Sequence, residues 1–172
     1  MGCLSGGEHV VELCNFYEDT IVNVTHVRGV TQLDITYTKG LPMLLFRGSE
    51  ARVVLAHLDR RKLRRLYTAG MDDPEVAEDV RAIGADWPRF LATLKTIRER
   101  GYYISRGELD VQVRGIAAPV FGESGEIVSS MVVASSMEEP ARVSEDSMVR
   151  LLVQTARELT QRLQQQPAPA GR

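Results

Sequence analysis

No apolar run in this 172-residue chain reaches the ~18–20 residues of a membrane span, and no basic segment leads into an apolar one at the N-terminus. No spanning helix is expected, the N-terminus argues against export, and a cytoplasmic location is expected. Cysteine is scarce. Cys3 and Cys14 are the only two, and in a reducing compartment they read as free thiols rather than a disulfide. The three histidines, His9, His26 and His57, are scattered, with no spacing to each other or to a cysteine that suits zinc. GxGxxG, GxxxxGKS/T, GxSxG and HExxH are all missing, so no nucleotide loop, nucleophile elbow or zinc-protease helix is encoded, and no cofactor is implied. A basic excess is lacking too: 21 Lys and Arg against 23 Asp and Glu leave a net charge of −2, which argues against gripping nucleic acid in bulk.

What is present suffices for one core. Hydrophobic residues make up 44% of the chain and charged residues 26%, the balance of a globular domain rather than a disordered one. The expected division is one domain over 1–164 and a disordered tail over 165–172, where Gln, Pro and Ala replace the apolar pattern.

His9 to Tyr17 and Thr20 to Val27 are β-rich and flank the polar pair Glu18-Asp19, which predicts a hairpin; Thr31 to Thr38 alternates and predicts a third strand. From Ser49 the period lengthens to three and four. Two consecutive helices follow, the second capped by Asp59. Asp72-Asp73-Pro74 and Asp86-Trp87-Pro88 each place an acidic cap before a first-turn proline. After Asp86, the stripe Trp87, Phe90, Leu91, Leu94 and Ile97 marks a helix that Gly101 stops. Strand character returns at Tyr102 to Ile104, Ile116 to Phe121 and Ile127 to Ala134, and Ser144-Glu145 opens a last helix with Met148, Leu152, Ala156, Leu159 and Leu163 on one face. Strands, helices, strands and a helix in that order predict an α+β fold on an antiparallel sheet.

Spacing alone offers three places for chemistry. The basic run Arg60 to Arg65 can grip an anion, although Leu63, Leu66 and Tyr67 on the other face make a solvated helix side the simpler reading. Ser105 to Glu108, with Asp110, can present a carboxylate at a strand end, or be an ordinary polar turn. Gly48-Ser49-Glu50 can hold a ligand oxygen at a helix entry, or Ser49 can simply cap the helix.

The stretch from Asp86 to Ala134 carries an IRERGY helix end (97–102), an SRGE turn (105–108) and a GIAAPVF strand (115–121). With RGSEARVVLAHL (47–58) and DTIVNVTHVRG (19–29) upstream, the chain resembles, over about residues 8 to 164, the C-terminal effector-binding domain of the IclR family of bacterial transcriptional regulators. The resemblance implies a GAF-like antiparallel sheet with helices packed around it, a small-molecule pocket, and assembly into dimers or tetramers. It also implies that DNA is contacted only through a winged helix-turn-helix domain, which is not expected within these residues; an excised regulatory domain is expected over a gene product that lost its DNA reader. Carried over position by position, the effector would contact Met43, Ser49, Glu50, Ser105, Glu108, Gly115, Val132 and Ala134. Members that bind small oxo-acids have hydroxyl side chains in place of Val132 and Ala134 and a polar one in place of Gly115, and small residues are usual at Glu50. The implied effector is therefore a larger or less polar molecule, such as an aromatic metabolite, rather than a simple anion. Two other functions compete with this non-enzymatic one: a small GAF-like enzyme using the Ser105/Glu108 turn, and an assembly module whose pocket is filled by its own side chains.

Overall fold

The computed structural model describes residues 9–28, 33, 35, 36, 39–138 and 143–165. Its strands are β1 (His9–Tyr17), β2 (Thr20–Arg28), β3 (Pro42–Met43), β4 (Tyr103–Arg106), β5 (Val113–Phe121) and β6 (Ile127–Ser136). They form one sheet in the order β3-β2-β1-β6-β5-β4, every neighbouring pair antiparallel. Four helices separate β3 from β4: α1 (Gly48–His57), α2 (Arg60–Asp72), α3 (Ala77–Ile83) and α4 (Trp87–Arg100). The helix α5 (Glu145–Gln165) follows β6. This is the α+β, antiparallel architecture expected.

The pleat sorts side chains onto two faces, and each face has its own helices. Ile116, Ala118 and Val120 of β5 and Val133 of β6 pack against Met148, Leu152 and Ala156 of α5. On the other face Cys14, Ile21, Ala117 and Val132 meet Val53, Val54 and Leu55 of α1, with Leu63 of α2 and Phe90, Leu94 and Ile97 of α4 behind. α1 is consequently buried along nearly its whole length, Gly48 through Ala56, between sheet and outer helices.

Local signals account for the helix ends. Asp59 accepts from the N–H groups of Arg61 and Lys62, at 3.0 and 2.9 Å, and caps α2. Asp86 does the same for α4 through the Arg89 N–H, with Pro88 in the first turn, and Gly101 closes that helix at φ 76°. After Asp73-Pro74 the structure differs from the expectation. The Asp73 carboxylate takes the Glu75 N–H and its carbonyl takes those of Val76 and Ala77, so a separate turn precedes α3.

The β1–β2 hairpin turns at Glu18 and Asp19, whose φ values of 46° and 65° match the right-handed twist of the strands. Asp19 then anchors the hairpin to α2, pairing with Lys62 at 3.1 Å and Arg65 at 2.5 Å, while Arg64 lies over the Trp87 ring at 4.7 Å. The basic run is thus spent largely on the fold. Of the third strand expected over 31–38, Leu33, Ile35 and Thr36 are described and none is in a strand; β3 is instead the short Pro42–Met43. Helix α5 runs to Gln165, one residue into the expected tail. Residues 166–172 and Cys3 lie outside the described residues; Cys14 is a free, buried thiol.

Candidate functional site

The N-terminal turn of α1 faces the sheet at the point where β5 carries no side chain. A Cβ added to Gly115 would lie 2.6 Å from Ser49 Oγ and 2.9 Å from Ser105 Oγ, closer than real Cβ atoms come, so glycine is what allows α1 to approach. Gly115 pairs with Ser105 on β4 and with Ala134 on β6, and Ala134 pairs with Val10 on β1. Met43 reaches the same face from β3, across from Ile21.

Between these elements lies a cavity of about 40 Å³, lined by Glu12, Ile35, Met43, Ser49, Glu50, Ser105, Leu109, Asp110, Val113, Gly115, Val132 and Ala134. A water needs ~10–15 Å³ measured this way, so the space holds a few waters or one small chemical group. An aromatic ring, one effector expected from the sequence, requires a wall to move. Seven of the eight residues carried over by resemblance, from Met43 to Ala134, meet here. The protein's own side chains leave this space open.

Glu108 is the eighth, and it stands behind the wall. Its Oε2 accepts from the Gly48 N–H at 3.2 Å and from Arg52 Nη2 at 3.2 Å, and its Oε1 accepts from the Tyr103 hydroxyl at 2.7 Å. A carboxylate receiving the first N–H of a helix satisfies a donor that has no partner inside the helix. Burial and the bond to Glu108 push the Tyr103 hydroxyl up to about 12. Glu108 therefore holds the β4–β5 turn against α1 and positions the residues that do line the space.

The lining is acidic. Glu12, Glu50 and Asp110 supply three carboxyl groups, Ser49 and Ser105 two hydroxyls, and no Lys, Arg or His is among the lining residues. Glu12 takes a hydrogen bond from Asn23 Nδ2, and Asp110 takes two from Thr36, through its N–H and its hydroxyl. Glu50 is the most secluded, 3% exposed. Ser49 Oγ donates to its Oε2 at 3.2 Å, while its Oε1 has no hydrogen-bond partner among the described residues. Burial, then the nearby charges of Glu12 and Glu108, push the Glu50 carboxyl up to about 7 despite bonds from its own backbone and Ser49. Cys14 lies deeper on the same face, its Sγ 3.8 Å from Met43 Sδ, and burial pushes its thiol far above the usual range.

Five lining residues were not among those carried over: Glu12, Ile35, Leu109, Asp110 and Val113. Asp110 had stood out from spacing alone, beside the Ser105–Glu108 turn. For Glu12 a usable signal existed in β1, where strict alternation puts it on the buried face between Val10 and Cys14. An acidic residue on a core-facing position needs a reason. Among the described residues, no three His, Cys, Asp or Glu side chains are placed to hold a metal ion, and no helix is long and apolar enough to cross a membrane.

The chain matches the family described as "Bacterial transcriptional regulator IclR C-terminal" over residues 4–161. No curated protein matches it. Among solved structures, Thermotoga maritima IclR superposes with a TM-score of 0.78 at 18% identity, over 94% of this chain and 64% of that one. The Agobacterium tumefaciens repressor BlcR gives 0.70 at 20% identity, over 91% and 60%. Pseudomonas aeruginosa HmgR gives 0.73 at 20% identity, also over 91% and 60%. The chain thus spans less than two thirds of each of these three proteins, and at such identities the likeness is one of fold.

Proposed function

The chain belongs to the IclR family of bacterial transcriptional regulators, as its C-terminal domain, and from that premise we propose that it senses a small-molecule effector and self-associates. The effector is held in the cavity between the α1 N-terminus and the β5–β6 floor. One observation carries this reading: residues from β1, β3, α1, β4, β5 and β6, far apart in sequence, converge on one space that the protein's own side chains leave open. Occupation of that space moves α1 relative to the sheet, and α1 is packed on its far side by α4, so the signal leaves through the helical layer.

Self-association is supported by apolar surface that a monomer would hold in water. Tyr17 at the hairpin tip is 71% exposed and Val111 77%, and Val27 and Leu41 are at least half exposed. DNA recognition falls to a helix-turn-helix part of the regulator outside this domain, because the net charge here is −2 and the basic run is tied to Asp19 and Trp87. Native mass spectrometry of the purified protein tests both halves at once. Dimers or tetramers are expected, with a retained or added small molecule bound once per chain; a strict monomer at high micromolar concentration contradicts the self-association.

A further inference from the structure

The lining of this cavity combines acid with apolar surface and has no base, and it contains a buried carboxyl oxygen, Glu50 Oε1, without a partner among the described residues. Resting on the proposed sensing role, we propose that the group recognised in the cavity is an organic cation, a primary ammonium carried on an apolar body, with Glu50 as its counter-ion. An ammonium has three donors and no acceptor capacity. The hydroxyl oxygens of Ser49 and Ser105 are acceptors at the glycine gap at Gly115, the Glu50 carboxyl lines the same cavity with its Oε1 on the Gly48 side, and Met43, Val132 and Ala134 supply apolar wall.

An anion meets the reverse situation. A carboxylate entering here would find no cationic side chain among the lining residues, and Arg52, the guanidinium on α1, is already bound to Glu108. A metal ion is disfavoured too, since among the described residues no three suitable side chains converge. The volume of about 40 Å³ admits an ammonium head group and little more, which leaves the body of the ligand to the apolar wall and the cavity mouth.

The charged groups that surround Glu50 are Glu12 on β1, Glu108 and Asp110 on the β4–β5 turn, and Arg52 on α1. Burial first, and then the charges of Glu12 and Glu108, keep the Glu50 carboxyl of the empty site reluctant to ionise. A bound cation relieves that repulsion, so Glu50 loses its proton on binding and affinity rises with pH.

The probes are n-propylammonium, butyrate and n-butanol, titrated into the ¹⁵N-labelled protein and followed by amide chemical shifts at pH 6 and pH 8. Propylammonium is expected to move the Ser49, Glu50 and Gly115 signals saturably, about tenfold more tightly at pH 8 than at pH 6. Butyrate should leave them in place, and Glu50→Gln should weaken the ammonium by at least about tenfold, the cost of a lost charged partner. Should Glu50→Gln fail to fold, the wild-type contrast between ammonium and carboxylate at the two pH values decides the matter alone. Butyrate or butanol binding in preference to propylammonium overturns the cation assignment and leaves the sensing role standing. Saturable shifts confined to residues away from α1 and β5 overturn both.

Discussion

Replacing Glu50 with glutamine is expected to stabilise the domain progressively as pH rises from 4.5 to 8. In the folded state the Glu50 carboxyl sits at about 7, against 4.5 for an unburied one, because burial first, and then Glu12 and Glu108, disfavour its charge. Between those two values the folded protein keeps a proton that the unfolded chain releases. Stability from this group is therefore complete below pH 4.5, falls as pH rises, and is lost above pH 7. At about 1.36 kcal/mol per pKa unit, the loss is on the order of 3 kcal/mol. Glutamine has nothing to titrate, so urea unfolding at pH 4.5, 6, 7 and 8 should show the variant gaining on the wild type at each step. A stability difference that stays constant across this range contradicts the seclusion of Glu50. The strained carboxyl fits a binding role, since groups held at unfavourable protonation states concentrate at functional sites.

Phe90→Ala is expected to cost about 3–5 kcal/mol, the usual range for emptying a fully buried aromatic site. Phe90 has no exposed surface, and its ring lies 4.9 Å from that of Tyr67 on α2 and 5.8 Å from that of Trp87. Around it the backbone has no room to collapse: Gly84 approaches the Phe90 N so closely that a Cβ there would lie 2.2 Å away. Leu91, one residue on, is only partly buried and should cost far less on the same change. The contrast matters for the site because α4 backs α1, where Arg98 Nε also donates to the Ala56 carbonyl at 2.6 Å. Chemical denaturation of the two variants measures it directly. Equal losses at positions 90 and 91 would mean that α4 does not dock by the face described.

Much of this was readable from residue order. Asp59, Asp86-Trp87-Pro88 and Gly101 mark helix ends through local chemistry that needs no tertiary information, and all three positions behave as expected. The hairpin at Glu18-Asp19 was equally local. The strand expected over 31–38 rested on alternation alone, and alternation does not say whether a partner edge is there; the β2 edge is taken by Pro42–Met43 instead. The site was legible only in part. Ser49, Glu50, Ser105 and Gly115 could be named one by one, but that they face one another depends on β5 lying between β4 and β6 and on α1 crossing above Gly115, a matter of topology. Glu108 shows the limit from the other side. Its carboxylate looks like a ligand contact in a turn sequence, whereas its three partners, Gly48, Arg52 and Tyr103, come from elements that spacing cannot bring together.

That the effector sits between α1 and the sheet floor is tested most directly by a thermal-shift screen of small metabolites, run in parallel on the wild type and on Ala134→Leu. Ala134 is 6% exposed, lines the cavity and pairs with Gly115, so a leucine there fills the space from the floor upward. Overpacking a filled core costs about 1–3 kcal/mol, and spare volume should keep the cost of this change near zero. Ligands that bind only the folded wild type raise its Tm in proportion to RT ln(1 + [L]/Kd). The expected result is a variant that folds with nearly wild-type stability and no longer responds to compounds that stabilise the wild type. Compounds that stabilise both proteins equally would place the effector elsewhere, and an Ala134→Leu variant that unfolds would mean the cavity has no room to lose.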